Sequence, residues 1–140
     1  MSPLQELLKS HAPWLFDEFG LNVVADSYDP SAFGNSTVVL ESNDIRLRLV
    51  QDRGQVFAEF EPPTESSKWW DLSFILEAIS GAVPQPTFEL DGVLSLLRQN
   101  LGRIVEALGP QWTRTRQDLE QRQQDRFQAL RASSINRSGK

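Results

Sequence analysis

The side chains with the clearest potential for chemistry are arginines and glutamates that recur at every second position. Arg46 and Arg48 alternate with aliphatic residues, and Glu59 and Glu61 do the same in the next segment. Period-two alternation is typical of strands with one buried face, so we expect all four charges on the other face. Because exposed pairs contribute only about 0.2–1 kcal/mol each, one interpretation is register control on a solvated surface. The alternative is a recognition surface on which an arginine flanked by carboxylates contacts a ligand or partner.

A tryptophan pair, Trp69-Trp70, is the most unusual local feature of the chain. We expect it at the start of a helix, where neighbouring residues point about 100° apart, so that one ring is partly exposed. In one interpretation a ring lies in the core and the other covers the second face of the sheet near Val39, Val50 and Phe57. In the other interpretation the exposed ring anchors a partner, because tryptophan is enriched at binding hot spots.

No catalytic constellation stands out in the sequence. His11 is the single histidine and there is no cysteine, which excludes disulfides, thiol chemistry and a histidine-rich metal site. His11 lies on the apolar stripe of the first predicted helix, so we expect a core or capping role for it. The glycines form neither a phosphate loop nor a dinucleotide fingerprint, and we expect no cofactor. Asp26, Asp29 and Glu61 leave open a rival class, a small-molecule binder or a carboxylate-based hydrolase.

A three-strand antiparallel meander over residues 37–61 must position the charged set. With Arg53-Gly54 as a two-residue turn, Arg48 lies opposite Glu59 and Arg46 opposite Glu61. A bulged turn would shift this pairing by one residue, and the hydrophobic pattern favours the unshifted register. A second turn at Asn43-Asp44 gives the same faces. The predicted core face then consists of Val38, Leu40, Leu47, Leu49, Val56, Ala58 and Phe60.

The remaining patterns predict an α+β fold: an N-terminal helix, a four-stranded antiparallel meander sheet, then three C-terminal helices, the last long and polar. Ser2-Pro3 has the residue types that begin a helix. Residues 21–28 read as the fourth strand, residues 69–80 as a helix and residues 88–108 as the strongest helix. We therefore expect one α+β domain over residues 1–110.

The C-terminal segment differs from the domain before it. Residues 111–132 predict a polar helix that packs on the domain or on a partner, and residues 133–140 predict a disordered tail. If the helix meets a second copy of the chain, the protein is a structural homodimer. The thin apolar seam that would mediate either contact consists of Trp112, Leu119, Phe127 and Leu130.

Charge is divided unevenly along the chain. Residues 1–112 carry 7 basic and 16 acidic side chains, a net charge of −9, whereas residues 113–140 carry a net charge of +4. An acidic body disfavours nucleic acid and favours a basic protein partner through long-range steering. With no secretory signal and no apolar run long enough to span a bilayer, we expect no membrane association and a cytoplasmic location.

The hairpin over residues 45–57, leading to Trp70-Asp71-Leu72, resembles small bacterial α+β proteins of the toxin-immunity type, which neutralise a toxin by binding its active face. The resemblance covers residues 36–80, with the chain's size, its acidic body and its lack of catalytic residues in support. Type III secretion chaperones are similar in size, charge and amino-terminal helix, but the strand pair expected after their middle helix is missing.

The resemblance implies a non-enzymatic protein-binding module, either an immunity-type inhibitor or a chaperone-like adaptor. The residues predicted to contact the partner are Arg46, Arg48, Glu59, Glu61, Trp69 and Trp70.

Overall fold

The computed structural model describes residues 1–65 and 68–138, with side chains up to residue 133. It confirms the α+β class, with an N-terminal helical region, one antiparallel sheet and C-terminal helices. The five strands follow one another across the sheet in chain order. The elements are α1 (Pro3–His11), α2 (Trp14–Asp17), β1 (Asn22–Asp29), β2 (Asn35–Glu41), β3 (Arg46–Asp52), β4 (Gln55–Glu61), β5 (Trp70–Asp71), α3 (Leu72–Ser80), α4 (Leu90–Leu108) and α5 (Trp112–Ser138).

The predicted register of the meander is confirmed. Arg48 pairs with Glu59 and Arg46 with Glu61 across β3 and β4, and β2 pairs with β3 so that Glu41 lies opposite Arg46. Arg53 and Gly54 both have positive φ, 52° and 82°, as a two-residue turn of type I′ requires. The bulged alternative is therefore wrong, and the charged side chains share one face.

The core lies on the other face of the sheet. The seven residues predicted for it are each at most 3% exposed. These seven residues pack in one hydrophobic core with apolar residues of all five helices. The helices therefore form a layer on one side of the sheet, and the charged set lies on the side away from that layer.

The start of α3 differs from the prediction of a helix from residue 69. Trp70 and Asp71 form the short strand β5, with Trp70 paired to Phe60, so the sheet has five strands rather than four. The Asp71 side chain accepts a hydrogen bond from the Ser73 backbone N–H, and this N-cap begins the helix at Leu72. The helix ends at Gly81, whose φ of 79° is the left-handed conformation that glycine adopts readily.

In α1 the predicted start is confirmed, but the place of His11 is not. The Ser2 hydroxyl accepts from the Gln5 N–H, and Pro3 is the first helical residue. His11 is exposed, so of the two roles predicted for it the core role is wrong, and it lies instead in the last turn of α1. The helix ends at His11, and the next residue, Ala12, takes the buried position while its N–H bonds to the Leu8 carbonyl.

The long C-terminal helix continues past its predicted end. α5 runs to Ser138, into the segment predicted as a disordered tail; residues 139–140 of that tail lie outside the described residues. The seam divides into two halves. Leu119 is fully buried and Trp112 partly so, whereas Phe127 and Leu130 are 64% and 72% exposed. The first half of α5 therefore packs on the domain, and the second half presents its apolar residues to solvent. Among the described helices, none is long and apolar enough to cross a membrane.

Candidate functional site

Trp69 lies against the two arginines of β3. The centre of its ring is 5.3 Å from the Arg46 guanidinium carbon and 4.6 Å from that of Arg48. A guanidinium over an aromatic face is attracted by the ring quadrupole, by about 0.5–1 kcal/mol where solvent has access. The ring is half-buried. It is thus held on the charged side of the sheet with part of its surface free.

Arg48 is fixed from a second direction by Glu59. The register places the two residues opposite each other, and the Arg48 Nε donates to Glu59 Oε1 at 2.9 Å. Both side chains are only partly exposed. Ion pairing and ring contact together restrict Arg48 to one geometry, which is the preorganisation that a recognition surface needs.

Glu61 is the one charged residue of the set that solvent does not reach, with 0% of its side chain exposed. Its Oε1 accepts a hydrogen bond from Arg46 Nη1. The Nε of the same arginine lies 3.8 Å from Glu41 Oε1. Glu61 Oε2 is buried and has no hydrogen-bond partner among the described residues. Burial raises the pKa of Glu61, and the nearby charges of Arg46 and Arg48 offset only part of that effect. A solvated face, as the sequence suggested for these charges, does not describe Glu61.

Five of the six predicted site residues therefore come together. We call this surface the arginine–tryptophan face, and it consists of Arg46, Arg48, Glu59, Glu61 and Trp69. Trp70 lies on the opposite side, where it is 5% exposed and its ring stacks on Phe74 with centroids 5.8 Å apart. Trp69 directly precedes β5 and is the less buried of the two, so it is the ring that is available to a partner.

One interpretation of the sequence placed one tryptophan in the core and the other on the second face of the sheet, and Trp70 and Trp69 occupy these two places. On that face the Trp69 ring lies over the arginines of β3. Phe57, on the same side of the sheet, is paired with Phe88 at a centroid distance of 5.7 Å. Phe88 belongs to the connection between α3 and α4, and nothing in the strand pattern pointed to that contact. Two separate chain segments therefore place aromatic rings on this face: Trp69 before β5, and Phe88 between α3 and α4.

The carboxylates of the rival hypothesis do not converge. Asp26 Oδ2 accepts from the Ser2 N–H at 2.8 Å, and Asp29 accepts from Ser31. Both lie on β1, and two strands, β2 and β3, separate them from Glu61 on β4. Hydrogen bonds to Ser31 lower the pKa of Asp29, as a local turn contact does. In the part of the chain that the structure describes, no group of three or more histidine, cysteine or acidic residues is placed to hold a metal ion.

Sequence reasoning missed a second feature beside Trp69. Lys68, Phe74 and Arg126 line a shallow 320 Å³ cavity that Trp69 and Trp70 share. The Arg126 guanidinium lies 4.6 Å from the Phe74 ring, and it also pairs with Glu77 of α3. These contacts join α3 to α5 over a separation of about fifty residues, so a local pattern could not reveal them.

The arginines of α5 face their own domain to a large extent. Arg116 contacts Glu65 at 3.0 Å, and Arg122 contacts Glu77 at 3.3 Å. A larger groove, of about 790 Å³, lies between α3, α4 and α5, is lined mainly by long polar side chains and includes no residue of the arginine–tryptophan face. The basic C-terminal segment thus supplies ion pairs that hold α5 to α3 and to the chain after β4.

Comparison of the chain with models of protein families, with curated proteins and with solved structures gave no match. The arguments for function therefore come from the site itself. Its geometry offers a fixed aromatic ring, paired charges and a buried carboxylate.

Proposed function

We propose that this protein is a non-enzymatic protein-binding module that docks its partner on the arginine–tryptophan face. The observation that carries the proposal is the half-buried Trp69 ring, held over Arg46 and Arg48 on the charged face of the sheet. A ring that is already ordered loses little conformational entropy when a partner covers it. Tryptophan in such a position is a frequent centre of binding energy.

Charge supports a basic partner. The body of the chain has a net charge of −9, and the exposed Asp71 and partly exposed Glu41 flank the face. Long-range attraction would speed encounter with a basic surface. The partly buried pair of Arg46 and Glu61 neutralises its own charge, so we expect it to contribute to the shape of the face more than to this attraction. An immunity-type inhibitor is the specific form we propose. Such a complex would bury about 800 Å² on each partner, with Trp69 near the centre.

Trp69→Ala tests the proposal. We expect this variant to weaken binding by about 2 kcal/mol or more, roughly 30-fold, because it removes the ring and frees two arginines. The partner is first captured from the native cell with the wild-type chain and identified. Its dissociation constant is then measured by calorimetry for each variant.

Phe33→Ala is the matched control. Phe33 is also an exposed aromatic residue beside an arginine, being 75% exposed and 5.0 Å from the Arg53 guanidinium carbon, but it lies in the connection from β1 to β2. We expect this variant to bind within twofold of the wild type. Equal losses in both variants, or no loss in Trp69→Ala, would contradict the proposal.

The exposed end of α5 favours a second candidate, a structural homodimer. Phe127 and Leu130 occupy neighbouring turns of one helix and are largely exposed. A second copy of α5 that packed along these residues would bury them. This function would be independent of the arginine–tryptophan face, which lies on the sheet.

A further inference from the structure

A separate apolar cavity of about 240 Å³ lies at the outer edge of β4. Its walls come from β4, from the start of α3, from α4 and from the connection between the two helices. The side chains that define its interior include Val56, Ala58, Leu72, Val93 and Leu96. The neighbouring strand β5 pairs with β4 only at Glu59 and Phe60, so the edge of the sheet is open beside the cavity.

The connection over residues 83–88 is fastened across this opening. The Phe88 carbonyl accepts from the Val56 N–H at 2.7 Å, which attaches the segment to the edge of β4. The Thr87 side chain packs directly on the first turn of α4 at Gly92. Pro84 and Pro86 restrict the backbone between these contacts and α3. The cavity is therefore formed by an anchored segment and two helices rather than by a gap between loose side chains.

The chemistry of the lining selects a neutral occupant. Asp71 is the one charged residue among the described residues that line the cavity. Its carboxylate accepts from the Ser73 backbone N–H as the cap of α3, so it is already engaged. An anionic ligand would lose its hydration without gaining an opposite charge, and a cationic ligand would meet only the solvent-exposed, hydrogen-bonded carboxylate of Asp71. An apolar ligand would instead gain contacts with Val56, Val93 and Leu96.

We propose that this cavity binds a neutral, largely apolar small molecule of about ten non-hydrogen atoms. The size follows from comparison with a cavity of roughly 150 Å³, which accommodates benzene when its walls are apolar. A bicyclic aromatic ring or a short alkyl chain fits this volume. The site differs in place and chemistry from the arginine–tryptophan face, and it does not depend on the protein-binding proposal.

Indole and naphthalene are suitable probes of the full-length chain. Titration followed by amide nuclear magnetic resonance should give saturable shifts at Val56, Ala58 and Val93, with a dissociation constant on the order of 0.1–1 mM. Indole-3-carboxylate, which has the same ring and a negative charge, should bind at least about tenfold more weakly. This comparison of ligands needs no substituted protein.

Leu96→Phe fills the cavity and should weaken indole binding about tenfold or more. Gln99→Phe adds the same side chain at an exposed position of the same helix, so it should leave binding within twofold. The proposal is overturned if indole gives no saturable shift, if the carboxylate binds as well as indole, or if Leu96→Phe binds indole like the wild type.

Discussion

The packing of Thr87 on Gly92 sets how closely the connection over residues 83–88 approaches α4. A Cβ placed on Gly92 would collide with Thr87 Oγ1 and would lie 3.2 Å from Thr87 Cβ. Rotation of the Thr87 side chain relieves the first contact but not the second. Gly92→Ala must therefore move the connection away from the helix by a few tenths of an ångström.

The expected cost can be separated from helix propensity with a second glycine in α4. Gly102 is exposed, and a Cβ there would meet nothing within 4 Å. Gly102→Ala should raise the free energy of unfolding by about 0.5–1 kcal/mol, because alanine restricts the unfolded chain. Gly92→Ala gains no more than this amount from the restricted unfolded chain, and overpacking lowers its free energy of unfolding by about 1–3 kcal/mol. We expect Gly92→Ala to be about 1 kcal/mol less stable than the wild type.

Urea unfolding at equilibrium, followed by circular dichroism, measures both variants. Combining Gly92→Ala with Thr87→Gly removes the opposing atoms, so the double variant should recover about 1 kcal/mol relative to the sum of the single changes. The reasoning is refuted if Gly92→Ala stabilises the protein as much as Gly102→Ala does. It is also refuted if the two substitutions are additive.

Two further predictions concern Glu61 and α5. Because the folded state raises the pKa of Glu61, its contribution to the free energy of unfolding is largest below about pH 4.5 and falls as the pH rises toward neutral, by at most about 1.4 kcal/mol per pH unit. The stability of the wild type relative to Glu61→Gln should therefore decrease between pH 4.5 and 7 in urea titrations, and a constant or rising difference would contradict the burial argument. If α5 forms a homodimer, the double variant Phe127→Ser, Leu130→Ser should sediment as a monomer where the wild type sediments as a dimer, with Phe33→Ser as the control. Identical sedimentation of the wild type, the double variant and the control would contradict the homodimer proposal.

The register of the meander was predictable because its determinants are local. The two-residue turn at Arg53-Gly54 fixes which positions oppose each other, and alternation assigns each to a face. Pairing of Arg48 with Glu59 followed without knowledge of any other part of the chain. The same local reasoning gave the cap of α1 at Ser2 and the end of α3 at Gly81.

The burial of Glu61 was not predictable in the same way. Alternation placed Glu61 on the charged face but could not show whether solvent reaches that position. The Trp69 ring returns over Arg46, the partner of Glu61, only after the connection that follows β4. One local signal for this return was present in the sequence. Asp71 followed two residues later by Ser73 has the residue types of an N-cap, which would have placed Trp69-Trp70 before the helix rather than in it.

The cavity at β4 also escaped prediction, since it depends on contacts between the helix connection and the edge of the sheet. Gly92 was a usable signal. A glycine inside a strongly apolar helix lowers its propensity, and close packing by another segment is a common reason for it. Sequence alone did not identify Thr87 as the partner, because the turn of the backbone between residues 84 and 88 decides which side chain reaches the helix.

The outer strand β1 has a consequence for molecules of this protein at high concentration. Its ladder with β2 is interrupted by a bulge between Val23 and Ala25, and it carries Asp26 and Asp29 along an otherwise open margin. A foreign strand needs an unbroken row of amide and carbonyl groups to add itself there, and like charges would face each other in a self-pairing. At high concentration, copies of the protein can therefore collide without joining their sheets edge to edge, which disfavours fibre growth from β1.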